Sequence, residues 1–133
     1  MEWKEEYSVG IKEIDTQHKE LISLFSRITD SVEQELQWSE VHYRIVELRN
    51  FASFHFDFEE ALLRLYGCPE ADGHVEFHKQ FFAKLNDIEK RSLLDEVKQE
   101  MFKFLFDWLF GHILTTDKAY AKYILSGAKV VAA

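Results

Sequence analysis

Four stretches of this chain repeat their apolar residues in steps of three and four, the spacing that lays one stripe along an α-helix. The first runs Ile14, His18, Leu21, Phe25, Ile28, Val32 and on to Leu36. The second is Val41, Ile45, Leu48, Ala52, His55, Glu59 and Leu62, and the third His74, His78, Phe81, Leu85 and Ile88. The fourth carries Leu94, Val97, Met101, Leu105, Trp108 and His112. The pattern predicts helices over about 13–37, 40–65, 72–89 and 93–114, with a short fifth over about 117–125.

Punctuation supports the divisions. Ser39 suits an N-cap, with Trp38 ahead of it as a staple residue. Gly67 and Pro69 end the second helix, and Asp72 suits the N-cap of the third. Ser92 with Asp95 resembles a capping box, Thr116 is placed to cap the last helix, and Gly127 closes it. Residues 1–12 lack helical periodicity but carry Trp3, Tyr7 and Gly10, which predicts an extended arm laid over the helices. Long helices joined by short loops predict an all-α fold, an antiparallel up-down-up-down four-helix bundle in one domain.

Polar residues interrupt these stripes at particular heights. His18 lies early in the first helix, His55 and Glu59 late in the second, His74 and His78 early in the third, and His112 late in the fourth. Alternating helices bring all of them to one end of the bundle. Within His55-x-x-x-Glu59 and His74-x-x-x-His78 the i, i+4 spacing puts both side chains on one face. A lone histidine on such a stripe is most often a hydrogen-bonded core residue. Each buried polar group without a partner costs several kcal/mol, so a level ring of them asks for a water cluster or a metal. His42, one residue off its stripe, reads as surface. Asp117 lies five residues beyond His112, which on a continuous α-helix turns it roughly 140° away. A break at Thr115-Thr116 would swing it back.

Imidazoles mixed with carboxylates suit iron, manganese or zinc. Five imidazoles and two carboxylates are too many for one ion and fit two. With Glu59 and Asp117 bridging, they fill about nine of the twelve octahedral positions of two ions, and a shared oxide or hydroxide fills two more. About one position is left for a small ligand. Leu21, Phe56, Trp108, Leu109 and Ile113 lie beside the ligands or one turn away and would wall that position with apolar groups, and the seams carry no further acid or histidine at that end.

Composition narrows the classes. The chain has 133 residues, 47% of them hydrophobic, with twelve Phe but only one Pro and five Gly, which fits one well-filled helical domain. A net charge of −8 disfavours nucleic acid and anionic membranes as partners. Cys68 is the only cysteine, so neither an internal disulfide nor a cysteine zinc site is available. The charged start, Met1-Glu2-Trp3-Lys4-Glu5-Glu6, is no signal peptide, and Phe102 to Leu114 is too short to span a bilayer. A monomer in the cytoplasm is expected.

The order and spacing of His18, His55, Glu59, His74, His78, His112 and Asp117 resemble the hemerythrin family, its single-domain bacterial branch in particular. The opening Trp3…Gly10-Ile11…Ile14-Asp15-x-Gln17-His18 is similar to that branch as well, so the resemblance covers nearly the whole chain. It implies a non-haem, oxo- or hydroxo-bridged centre of two iron ions. His74, His78 and His112 would hold one ion, His18 and His55 the other, with Glu59 and Asp117 bridging. The implied activity is reversible dioxygen binding for storage or delivery, with an oxygen-consuming enzyme as recipient, rather than catalysis. The same ligands also serve two other classes: an enzyme that removes peroxide or nitric oxide, and an oxygen or redox sensor acting through a partner.

Overall fold

The periodic stripes become helices whose apolar faces meet. In the computed structural model, which describes residues 2–91 and 98–131, α1 spans Lys12–Glu33, α2 Trp38–Leu65, α3 Ala71–Arg91, α4 Lys98–Gly111 and α5 Lys118–Leu125. The four longer helices pack as a bundle: each follows the next around the ring, and α4 closes against α1. The Ser92–Asp95 capping box and the seam positions Leu94 and Val97 lie outside the described residues. No helix among the described residues is long and apolar enough to cross a membrane.

The stripes form one main core, with Ile28, Ile45, Leu85, Ile88 and Met101 at its centre, all at most 1% exposed. A second, smaller apolar cluster gathers Val9, Ile14, Leu63, Cys68, Tyr120 and Ala121. The histidine level lies between the two clusters. The pole is therefore capped rather than open, and α5 with the N-terminal arm supplies much of the cap.

That arm is only partly extended. Glu5–Tyr7 forms a 3-10 turn that tucks Tyr7 edge-on against Phe110, ring centroids 5.4 Å apart. Asp15 anchors the end of the arm: its carboxylate accepts from the Ser8 hydroxyl at 2.5 Å and from the Val9 amide at 2.8 Å. Lys118 of α5 donates to the Glu6 carbonyl at 2.7 Å, joining the arm to the far end of the chain.

Helix ends depart from the expected caps. α1 stops at Glu33 rather than running to residue 37, because Glu35 takes a left-handed φ of 54° and the Leu36 amide turns back to the Ser31 carbonyl at 3.0 Å. That is a Schellman closure with a non-glycine residue in its left-handed position. α2 closes the same way with Gly67, φ 59° and Cys68 N to Leu63 O at 2.9 Å. Ser39 does not cap α2: Trp38 is its first residue, Gln37 stands at the N-cap, and no side chain bonds there. α3 begins at Ala71, one residue before Asp72.

The largest departure lies after α4. No break occurs at Thr115-Thr116; the chain passes from α4 through one π-helical stretch, His112–Asp117, directly into α5. Thr116 donates its hydroxyl to the His112 carbonyl at 2.8 Å, and Thr115 donates to Gly111 O. These hydroxyls serve carbonyls inside the widened helix instead of capping a new one.

Candidate metal centre

The π-helical stretch explains why a five-residue spacing works. Its i→i+5 repeat returns a side chain to its starting face after five residues, where an α-helix would not. Asp117 thereby points the same way as His112, with its Oδ2 2.6 Å from His112 Nε2. Thr115 and Thr116 contribute by bracing that widened turn, not by interrupting it.

All seven residues expected at the site lie together, none more than 6% exposed. Their ring Nε2 atoms converge on two carboxylates, and each carboxylate divides its oxygens between two sets of imidazoles. Glu59 Oε2 lies 2.6 Å from His55 and 3.1 Å from His112, while Oε1 lies 3.1 Å from His74 and 3.3 Å from His78. Asp117 Oδ2 lies 2.6 Å from His18 and Oδ1 lies 3.3 Å from His74. Two overlapping groups result: His18, His55, Glu59, His112 and Asp117, and Glu59, His74, His78 and His112. Within each group the donor atoms lie within 4.8 Å of one another. His112 belongs to both.

The donors fit cations better than they fit each other. Glu59 Oε1 and His78 Nε2 are buried without a hydrogen-bond partner. His55 and His112 turn Nε2 atoms toward each other at 3.1 Å, an arrangement that needs a proton or a metal between two lone pairs. Without metal the site must take up protons. Burial alone would lower the pKa of His112, yet the Asp117 and Glu59 carboxylates raise it to about 10. His74, opposed by burial in the same way, is raised to about 9 by its hydrogen bond to Asp117 and its close contact with the Glu59 carboxylate. For His18 burial wins and its pKa is lowered. Glu59 is held well below the carboxylate range, since the His112 and His55 charges outweigh its burial. Divalent metal would replace those protons.

Aromatic rings fix the imidazole planes. Phe56 stacks on His78 with centroids 3.9 Å apart and planes 6° apart, and Trp108 stacks on His112 at 4.5 Å and 14°. These two residues therefore support the His78 and His112 rings directly. Leu21, Trp108 and Leu109 share a void of about 10 Å³ with Phe25, Leu48, Phe81 and Leu105, one turn below the ligands. At that size and with apolar walls it stays dry. Ile113 is fully buried beside His112. His42 is exposed, 3.4 Å from Glu89, away from the site.

Three further residues stand at the site beyond those expected there, although Gln17 had appeared in the opening motif. The His55 Nδ1–H donates to Gln17 Oε1 at 2.7 Å, and His78 Nδ1 lies 3.3 Å from Glu60 Oε2. Tyr120 sets its ring edge-on to His74 at 5.5 Å; burial, then the nearby carboxylates, push its phenol pKa up. Gln17 and Glu60 sit one residue off the seam, beside His18 and Glu59. That adjacency was the available signal, and it requires the packing of neighbouring helices to acquire meaning.

A helical bundle whose core holds a buried five-histidine, two-carboxylate cluster defines a non-haem metal-binding protein. The sequence profile of the hemerythrin HHE cation binding domain matches residues 9–124. The chain is 30% identical over 124 residues to a bacteriohemerythrin of Clostridium acetobutylicum, covering 89% of this chain and 96% of that one. It is 29% identical over 123 residues to a bacteriohemerythrin of Stenotrophomonas maltophilia, covering 92% and 80%. A hemerythrin-like protein of Naegleria gruberi is 25% identical over 118 residues, covering 89% and 88%. The chain belongs to the hemerythrin family.

Proposed function

We propose that this protein binds dioxygen reversibly at a centre of two iron ions, for storage or delivery. The observation that carries this reading is the division of each carboxylate: Glu59 and Asp117 both offer one oxygen to the His18–His55 side and the other to the His74 side. Two ions side by side need bridges of that kind, whereas one ion does not. His18 and His55 would hold the ion with the open position, His74, His78 and His112 its neighbour, with Glu59 and Asp117 shared. The chemistry that such an iron pair would supply is reversible donation of two electrons to the gas.

The chain's own residues favour carriage over turnover. Leu21, Leu109 and Ile113, all buried, would wall the open position with apolar groups that admit a neutral diatomic and exclude water. Tyr120, the buried phenol at the site, holds its proton more tightly than a free one. Proton delivery from that phenol is thus poor, which disfavours a general acid–base cycle through it. One feature favours the alternative, removal of peroxide or nitric oxide: a surface pocket of about 630 Å³ reaches His74 and Tyr120. Anaerobic loading with iron followed by cycles of air and degassing separates the two. A visible charge-transfer band that appears in air and disappears on degassing over many cycles supports carriage. Irreversible bleaching, or many turnovers of peroxide, supports the enzyme.

A further inference from the structure

The two ligand sets are backed by unlike partners. His55 occurs only in the group with His18, and His78 only in the group with His74. Each turns Nε2 toward Glu59, at 2.6 and 3.3 Å, which leaves Nδ1 as the protonated nitrogen of a metal-bound ring. His55 Nδ1–H meets the neutral side-chain amide oxygen of Gln17 at 2.7 Å. His78 Nδ1–H meets the Glu60 carboxylate, Oε2 at 3.3 Å. His18 and His112 provide no such contrast: their Nδ1 atoms are buried without a hydrogen-bond partner.

An anion that accepts the Nδ1–H pulls that proton outward and enriches the ring, so Nε2 becomes the stronger donor. An amide oxygen does this less. A stronger donor favours the higher oxidation state of the metal it holds, and hydrogen bonding to ligands is one of the protein's means of setting a potential. We propose that Gln17 and Glu60 make the two iron positions electronically unequal, so that the ion on the His74–His78 side is oxidised first and the ion on the His18–His55 side last. This rests on the di-iron reading above. Both are positioning residues acting through an imidazole, and each serves a ligand on the next helix: Gln17 of α1 backs His55 of α2, and Glu60 of α2 backs His78 of α3. The inequality places the more readily retained electron at the ion with the open position. That limits its oxidation when no gas is bound.

The test uses the full chain with Glu60→Gln, Gln17→Glu, the double exchange and Glu60→Asp. Three readouts are taken: iron per chain, the two one-electron midpoint potentials, and the ¹⁵N-edited signals of the His55 and His78 Nδ1–H protons in half-oxidised samples. In the wild type the His78 proton carries the ferric signature. Glu60→Gln raises the lower potential and narrows the gap; Glu60→Asp, which keeps the charge, restores it. The double exchange moves the ferric signature to His55. Loss of either partner weakens metal retention on the order of 10-fold. Two irons in every variant with unmoved potentials overturns the inference and leaves the di-iron reading intact. Fewer than two irons in the loaded wild type overturns both.

Discussion

Two levels of the same bundle fill the same seam with opposite chemistry. At one level Ile28, Ile45, Leu85 and Met101 meet, and at the other His18, His55, Glu59, His74, His78 and His112, with every one of these side chains 6% exposed or less. The helical period is identical, and so is the exclusion of water. Burial stabilises the first group by about 1.5–3 kcal/mol per side chain. The second group loses by the same burial unless charges and metal compensate it. One level supplies the stability that the other consumes, and the cap of Val9, Ile14, Leu63 and Tyr120 closes the polar level from its far side.

That contrast is broken most severely at the two carboxylates proposed to bridge. Glu59→Ala removes one oxygen from each imidazole set and is expected to leave at most one iron per chain, measured by metal analysis after loading. Two irons retained would show that Glu59 does not bridge. Leu85→Ala acts on the other level. It should lower stability by about 2–5 kcal/mol in denaturant titration and leave the iron count unchanged.

The polar level also has a pH signature in the metal-free protein. His74 and His112 have folded pKa values of about 9 and about 10, above the ordinary 6.5. Their contribution is therefore complete below pH 6.5 and disappears as pH rises through 9 to 10. Glu59 is depressed below its ordinary 4.5, so its contribution is present above that value and lost as pH falls. His18, whose pKa is lowered, works the other way and costs stability as pH falls below 6.5, so thermal melts of the metal-free protein should be highest near pH 6.5. A melting temperature that keeps rising to pH 9 would contradict the assigned charges. Metal uptake should run the opposite way, strengthening with pH as the imidazoles give up protons.

Smaller effects sharpen the boundary between the levels. Leu109→Ala enlarges the dry void below the ligands and should speed oxygen release and iron oxidation with both irons still bound. If iron content falls instead, Leu109 is scaffold alone. Glu35→Gly, far from the site, relieves a left-handed non-glycine residue at the end of α1. A gain of about 0.5–1 kcal/mol is expected, with oxygen affinity untouched.

Much of this was legible along the chain because helix period and ligand height are both linear properties. The seam positions placed the imidazoles on inward faces and at one level, and the order of the seven candidate ligands resembles the hemerythrin pattern. Asp117 was harder to read. Its five-residue distance from His112 contradicts an α-helix, and the π-helical turn that resolves this is fixed by packing and by two threonine hydroxyls bonding backward. The end of α1 and the start of α2 also differ from expectation, since a glutamate in a left-handed closure and a tryptophan starting a helix both go against local preference.

The sequence by itself determined which residue types face inward, at what height, and with what total donor set, because a helix repeats every 3.6 residues whatever surrounds it. Only the tertiary structure decided which oxygen of Glu59 and Asp117 faces which imidazole, and which partners stand behind the ligands. Gln17 and Glu60 gain their roles from a neighbouring helix. Distances between side chains on different helices are set by packing, and no linear spacing encodes them.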